Sequence, residues 1–394
     1  MSLTLAEEPS AAPIPRTLPD ELKPLTSARF FAAAMIAVLH LQEKFSVPWS
    51  EISDKSLRQG ITFFFVLSGF ILTHVYIDQK GLTLRKFVTL RLARIYPVHI
   101  AAMVLLVAVT PWTQVLYVGP SPDVNGQALV AKLLLVDSVI PTQPFQYSWN
   151  GVSWSISTEL FFYLAFPFLL VNFRADWAKK LVLAALLTLA AYNGAQALGL
   201  DFFSTRANTP TVFQIAYCDP LARGFEFVLG MAAYLGYERF VAPLRRSAAF
   251  WSLAEGALLA FALAWVFVWR ETVGGLLPNL AHLWVMISGS CLLFALLIAV
   301  LAPGRGLLGR ALSASWMVWL GQISFSFYML HAIVMQTLAR LWGPTAPAAI
   351  VFVLALIVAA ASYHFIETPA RRAILSRAAP RTRARLQGSA AQGA

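Results

Sequence analysis

Arg29 and His40 bracket the stretch RFFAAAMIAVLH, in which no other residue carries a charge. At 100° per residue a separation of eleven returns to within about 20° of the start. The two side chains therefore share one helix face, with backbones about 16 Å apart along the axis. An ionisable group inside a membrane span costs about 2.5–3.5 kcal/mol on insertion scales. A helix that keeps two has work for them, or keeps them at its ends. A guanidinium recognises phosphate or carboxylate, and an imidazole serves as base, nucleophile or proton carrier near neutral pH. The plainer alternative is an arginine snorkelling to one interface and a histidine resting at the other.

Four further groups could do chemistry. Arg91 and Arg94, in RKFVTLRLARIYPVHI, lie three apart on one face. There they form a clamp for phosphate, or a topology anchor on anionic lipid headgroups. Glu159, in SWSISTELFFYLAFPF, lies inside an apolar stretch, and an intramembrane carboxylate is a functional candidate by default. Ser155 and Tyr163, four residues to either side, are expected on its face. Arg223 and Glu226, in RGFEF, are expected to pair with each other or across helices. His331, in GQISFSFYMLH, falls in the outer half of its span, at the level where His40 ends. In GITFFFVLSGFILTHVY, Ser68 and Gly69 read as a close-packing spot, and His74 as an interfacial histidine. Glu367, in HFIETPARR, reads as a structural device at a helix end.

These groups need elements to hold them, and the composition says which. Of 394 residues, 58% are hydrophobic and 12% charged, about half the charged share of a soluble domain. With mean hydropathy +0.67, the chain reads as an all-α integral membrane protein. The net charge of +11 is spread between apolar segments. It forms no basic stripe on a soluble face, so nucleic acid is not an expected partner. Cys218 and Cys291 fall in different spans, and no disulfide, metal or redox site is expected from them.

Apolar windows near 28–42, 60–78, 97–118, 152–172, 181–199, 219–238, 250–269, 280–301, 315–339 and 347–366 predict about ten transmembrane helices in one bundle. Pro97 suits the first turn of the third. Of the 30 Lys and Arg residues, all but Lys44, Lys55, Arg58, Lys132, Arg206, Arg223, Arg270 and Arg340 then fall on one side. That side is assigned to the cytoplasm, with both termini on it. Three regions are expected: a cytoplasmic N-terminal tail (1–25) without signal-peptide features, a transmembrane domain (26–370), and a basic, unstructured cytoplasmic tail (371–394). The Pro-rich connection 119–151 is expected as an irregular loop, or one that dips back towards the bilayer.

Taken together, the strings resemble a known family. R-x10-H occurs in the first span, F-F-V-L-S-G-F in the second and R-x-x-R-I-Y-P before the third. S-W-S-x-S-x-E-x-x-F-Y occurs in the fourth, R-x-x-E-F-x-x-G in the sixth and G-x-I-S-x-S-x-Y-x-x-H in the ninth. Over about residues 25–370 the chain resembles the acyltransferase-3 family of integral membrane O-acyltransferases. Its members acetylate lipopolysaccharide, exopolysaccharide, peptidoglycan and some small molecules. The resemblance implies that Arg29 and His40 are the essential pair and that Glu159 is important. It links Arg91 and Arg94, with the adjoining Tyr96, to an acyl-CoA donor. Many members have Asp-Gly before the first arginine, where this chain has Thr26, Ser27 and Ala28. Many also carry an esterase-like domain after the last span, and fewer than 30 residues follow it here.

The resulting expectation is a multi-pass enzyme of the bacterial inner membrane. No cofactor is bound permanently, and acetyl-CoA is the donor substrate. The acceptor is a hydroxyl of a cell-surface glycan or its lipid-linked precursor, or else of a small molecule. His40 acts as general base or is acetylated first. Glu159 orients His40 or is itself protonated. His331, Arg223, Glu226, Ser153, Ser155 and Tyr163 are acceptor or supporting residues. A proton-coupled transporter would use the same residue types, but no internal repeat accompanies them.

Overall fold

The computed structural model of the chain describes residues 21–47, 54–79, 81, 83–111, 122–204 and 208–378. Among these, all regular structure is helical. In chain order the main helices are α1 (Lys23–Lys44), α2 (Gln59–Tyr76), α3 (Leu84–Val109), α4 (Gly151–Leu170), α5 (Phe173–Ala197), α6 (Pro220–Gly236), α7 (Ala248–Gly275), α8 (Asn279–Leu301), α9 (Ser315–Trp342) and α10 (Ala348–Arg377). Eight of them, all but α5 and α6, are long and apolar enough to cross a membrane. Helices do form at the two remaining windows. However, α5 opens with Arg174, Asp176, Lys179 and Lys180, and α6 has only 17 residues and contains Arg223 and Glu226. The expected tails lie mostly outside the described residues; residues 371–378, expected to be unstructured, instead continue the last helix.

The third helix departs from its sequence reading. It begins at Leu84, where the Thr83 hydroxyl accepts from the Lys86 N–H, and it ends at Val109. Pro97 is therefore inside a helix and not in its first turn. The basic segment 85–94 consists largely of good helix formers and continues the helix beyond the apolar window. Arg91 and Arg94 are consequently held on rigid backbone.

Two helix contacts set up the site. α1 and α9 run side by side in the same direction. Ser27 bonds the Leu312 carbonyl just before α9, the Phe30 and Phe327 rings meet at 6.0 Å, and Ser46 N–H bonds the Pro344 carbonyl after α9. α2 and α6 are also parallel, with Thr62 beside Glu226, Val66 beside Gly230 and Phe70 beside Tyr234. Their backbones touch through glycine. A Cβ on Gly69 would lie 2.0 Å from the Phe227 carbonyl oxygen, and one on Gly230 would lie 1.9 Å from that of Val66. Small residues allow this approach. The close-packing reading thus holds for Gly69.

The connection before α4 is folded as well as irregular. It carries a helix at Pro122–Leu134, a single turn at Asp137–Val139 and a short helix at Gln143–Tyr147. Its anchor is the fully buried Lys132 ammonium, 2.7 Å from both Asp137 Oδ2 and the Gln146 carbonyl. Burial pushes the Asp137 carboxyl above its ordinary range, against the pull of Lys132.

Candidate active site

Because α1 and α9 are parallel, His40 meets His331. His40 Nδ1 lies 2.8 Å from His331 Nε2, with the rings within 12° of coplanar. His331 Nδ1 lies 3.1 Å from the Phe327 carbonyl oxygen. A carbonyl only accepts, so His331 carries its proton on Nδ1. In the neutral ring Nε2 is then bare and accepts from His40 Nδ1–H. That leaves His40 Nε2 as an unprotonated lone pair. The chain Phe327 C=O, His331, His40 thus selects one tautomer of His40, the arrangement by which a third group orients a catalytic base.

His40 lines a cavity of about 820 Å³ at this end of the bundle. Ile36 and Leu39 of α1, Gln59 of α2, the segment Trp149–Val152, Phe213, Gln214 and Tyr217, and Tyr328 of α9 also contribute to its wall. The Lys132 anchor holds the connection that supplies Tyr147, Trp149 and Asn150 to this wall.

The other end of α1 faces a cationic cluster. Arg29 lies within electrostatic reach of Arg94, Tyr163, Glu159 and Arg91. Glu159 Oε1 accepts from Tyr163 Oη at 2.5 Å and from Ser68 Oγ at 3.0 Å. Arg91 donates to the Tyr76 hydroxyl at 2.6 Å, and its guanidinium lies over the Tyr76, Phe87 and Tyr163 rings at 5.3, 5.5 and 5.8 Å. Aromatic faces and one carboxylate stabilise these cations, and the cluster keeps an excess of positive charge.

Several sequence readings change here. Tyr163 reaches Glu159, but Ser155 does not: it bonds the Val152 carbonyl at 3.0 Å and the Tyr328 hydroxyl at 2.7 Å. Ser68, read as packing, is the second donor to Glu159. The group hydrogen-bonded to His40 is His331 and not Glu159. Ser153 bonds the Asn150 carbonyl at 2.8 Å, where it shapes the turn before α4. Tyr96 bonds the Leu133 carbonyl at 3.2 Å, which ties α3 to the 122–134 helix. Arg223 and Glu226 form a buried pair, with Nη2 and Oε2 3.0 Å apart. Arg223 also bonds Thr62 and lies over the Tyr217 ring at 5.6 Å, so it backs the cavity wall. Glu367 is buried and accepts from Ser326 at 2.7 Å. Sequence reading missed Tyr76, Tyr328 and the wall carboxamides. Tyr76 had one usable signal, its position at the end of the motif-bearing second helix.

Among the described residues no three His, Cys, Asp or Glu side chains form a metal-binding group.

Comparison with known proteins adds an independent line. The family model described as an acyltransferase domain, that of the acyltransferase-3 family, matches residues 25–364. The chain is 27% identical over 340 residues to acyltransferase MdmB of Streptomyces mycarofaciens, covering 82% of this chain and 81% of that protein. It is 28% identical over 375 residues to peptidoglycan O-acetyltransferase OatA of Listeria monocytogenes, covering 86% of this chain and 54% of OatA. It thus spans about half the length of OatA. No solved structure matches. The multiple apolar helices agree with these relatives in making it a multi-pass membrane protein. On the extent of the family match, the chain is an acyltransferase and belongs to the acyltransferase-3 family.

Proposed function

We propose that the protein moves an acetyl group from acetyl-CoA, bound from the cytoplasm, to a hydroxyl of a cell-surface glycan or its lipid-linked precursor. The observation that carries the reading is the hydrogen-bond chain that leaves His40 Nε2 bare at the wall of a large cavity. His40 Nε2 takes the proton of the acceptor hydroxyl. The oxygen attacks the thioester carbonyl, the C–S bond breaks, and the thiolate takes the proton back from the imidazolium. The products are the O-acetyl ester and CoA. His331 holds the tautomer and shares the imidazolium charge. Arg91, Arg94 and Arg29 hold the donor phosphates, and the Glu159–Tyr163 pair keeps these guanidiniums apart and in place.

The same reading places ten spans in the bacterial inner membrane, with both termini cytoplasmic. Its support is the alignment of α6 along α2, itself long and apolar enough to cross, from Thr62/Glu226 to Phe70/Tyr234. Thr188 on α5 bonds the Leu221 carbonyl on α6, bringing α5 alongside. The cavity then opens on the outer side, and the arginines face inward.

The test is the O-acetyl content of surface polysaccharide in a deletion strain complemented with wild type, His40→Ala or Glu159→Ala at equal membrane abundance. Wild type is expected to restore acetylation and His40→Ala to fail. Full restoration by His40→Ala would sink the mechanism.

A further inference from the structure

We infer that Arg371, near the C-terminal end of α10, extends the cationic cluster of Arg29, Arg91 and Arg94 and holds the ribose 3′-phosphate of CoA, so that the site selects CoA over an acyl carrier with a single phosphate link. The inference rests on the proposed acyl-CoA donor, to which it adds a residue and a selectivity.

Arg371 reaches the cluster through an irregularity in α10. The Thr368 N–H bonds the Tyr363 carbonyl five residues back, so Tyr363–Glu367 is a widened π-turn. Such a turn takes in one extra residue and rotates all that follows by about 100°. The π-turn packs against α3 and α9, and the helix beyond it against α3. Glu367 is buried and accepts from Ser326 Oγ of α9 at 2.7 Å. Arg371, four residues on, shares its helix face. Arg371 lies within electrostatic reach of Arg94, Arg91 and Glu367, and Glu367 within reach of Arg94. Helices α1, α3 and α10 thus contribute to one row of guanidiniums.

The row is open to a ligand. Its carboxylates are engaged by hydroxyls, Glu159 by Tyr163 and Ser68 and Glu367 by Ser326. Arg91 bonds Tyr76, whereas Arg29, Arg94 and Arg371 donate to no described residue. Each of the three carries five N–H donors. Arg29 and Arg94 are half-buried and Arg371 is exposed, so these donors are accessible. Four guanidiniums beside two carboxylates leave a positive excess, and paired N–H donors of this kind bind phosphate. A carrier joined through one phosphodiester brings a single negative charge. CoA brings a diphosphate and a separate 3′-phosphate. Thioester, pantetheine, diphosphate and 3′-phosphate follow one another along CoA. With the thioester towards His40, the diphosphate falls to Arg29, Arg91 and Arg94. The 3′-phosphate then falls to Arg371, at the exposed end of the row.

The purified full-length protein in detergent would be titrated by calorimetry with CoA and with 3′-dephospho-CoA, which lacks only that phosphate. Wild type is expected to bind CoA about tenfold more tightly, the value of about 1.4 kcal/mol. Arg371→Ala should abolish the preference by weakening CoA alone. Its unchanged affinity for dephospho-CoA then guards against a folding defect. Arg372→Ala removes the same charge from the neighbouring exposed position and should keep the preference. Equal binding of the two nucleotides by wild type would overturn the inference, as would an Arg371→Ala variant that still discriminates. The latter result is the one expected if Arg371 anchors an anionic lipid headgroup instead. Loss of the preference in Arg372→Ala as well would reduce the effect to general surface charge and overturn it too. If wild type binds neither nucleotide, the CoA donor itself falls, and the inference with it; if it binds both alike, only the inference falls.

Discussion

His40 Nδ1 and His331 Nε2 lie 2.8 Å apart although 291 positions separate them in the chain. In the proposed mechanism the bond makes His331 a positioning residue whose effect passes through His40. His40→Ala is expected to lower kcat by about 10²–10⁴, the usual contribution of a general base. In His331→Gln the side-chain oxygen can still accept from His40 Nδ1–H. It is expected to retain about tenfold more activity than His331→Ala, the worth of one hydrogen bond of about 1.4 kcal/mol. Steady-state kinetics of CoA release decide it. Equal activities for the two variants would remove His331 from the mechanism.

Arg91 stacks on three rings and donates to Tyr76. A lysine keeps the charge but not the planar stack or the fork. Arg91→Lys is therefore expected to raise the KM for acetyl-CoA about tenfold or more, with little change in the acceptor KM. Initial rates over a donor series at saturating acceptor would show it. A donor KM equal to that of wild type would mean that Arg91 is not in the donor site.

Gly69 and Gly230 have no room for a methyl group, whereas a Cβ on Gly236 meets nothing within 4 Å. Gly69→Ala and Gly230→Ala are each expected to destabilise by about 3 kcal/mol or more through overpacking. Gly236→Ala should be neutral or gain up to about 1 kcal/mol from helix propensity. Thermal unfolding in detergent and membrane abundance separate the three.

Removing one partner of the buried Lys132–Asp137 pair leaves the other charge buried. Lys132→Ala or Asp137→Ala should each cost about 3–5 kcal/mol, while Lys132→Met with Asp137→Leu should recover much of that loss. Protease sensitivity of the 122–151 connection, together with melting temperature, provides the readout.

Periodicity made much of this legible. The shared face of Arg29 and His40, the apolar windows and the Arg223–Glu226 spacing follow from a repeat of 3.6 residues and needed no tertiary knowledge. The failures occurred where a partner came from a distant helix. Ser155 and Tyr163 are equivalent by spacing from Glu159, and only the packing of α2 and α9 decides that Ser68 replaces Ser155. His331 could be placed at the right depth, but its bond to His40 depends on α1 and α9 being neighbours. Gln59, Asn150 and Gln214 have no spacing signature: a carboxamide reads as ordinary polar filler until its hydrogen bonds are seen. Pro97 misled because a proline after a basic segment looks like a helix start, while the helix runs through it.

One helix, α1, carries both the arginine that meets the cationic cluster and the histidine that meets the cavity. In the proposed mechanism the interval between the donor-phosphate end and the reacting end is therefore counted in residues and cannot be adjusted by a hinge. Adding or deleting one residue between positions 29 and 40 would turn His40 by about 100° away from His331 and shift it by about 1.5 Å. The connections around the cavity can drift in length, whereas this short stretch behaves as a fixed gauge, open to substitution of its apolar residues and closed to insertions and deletions.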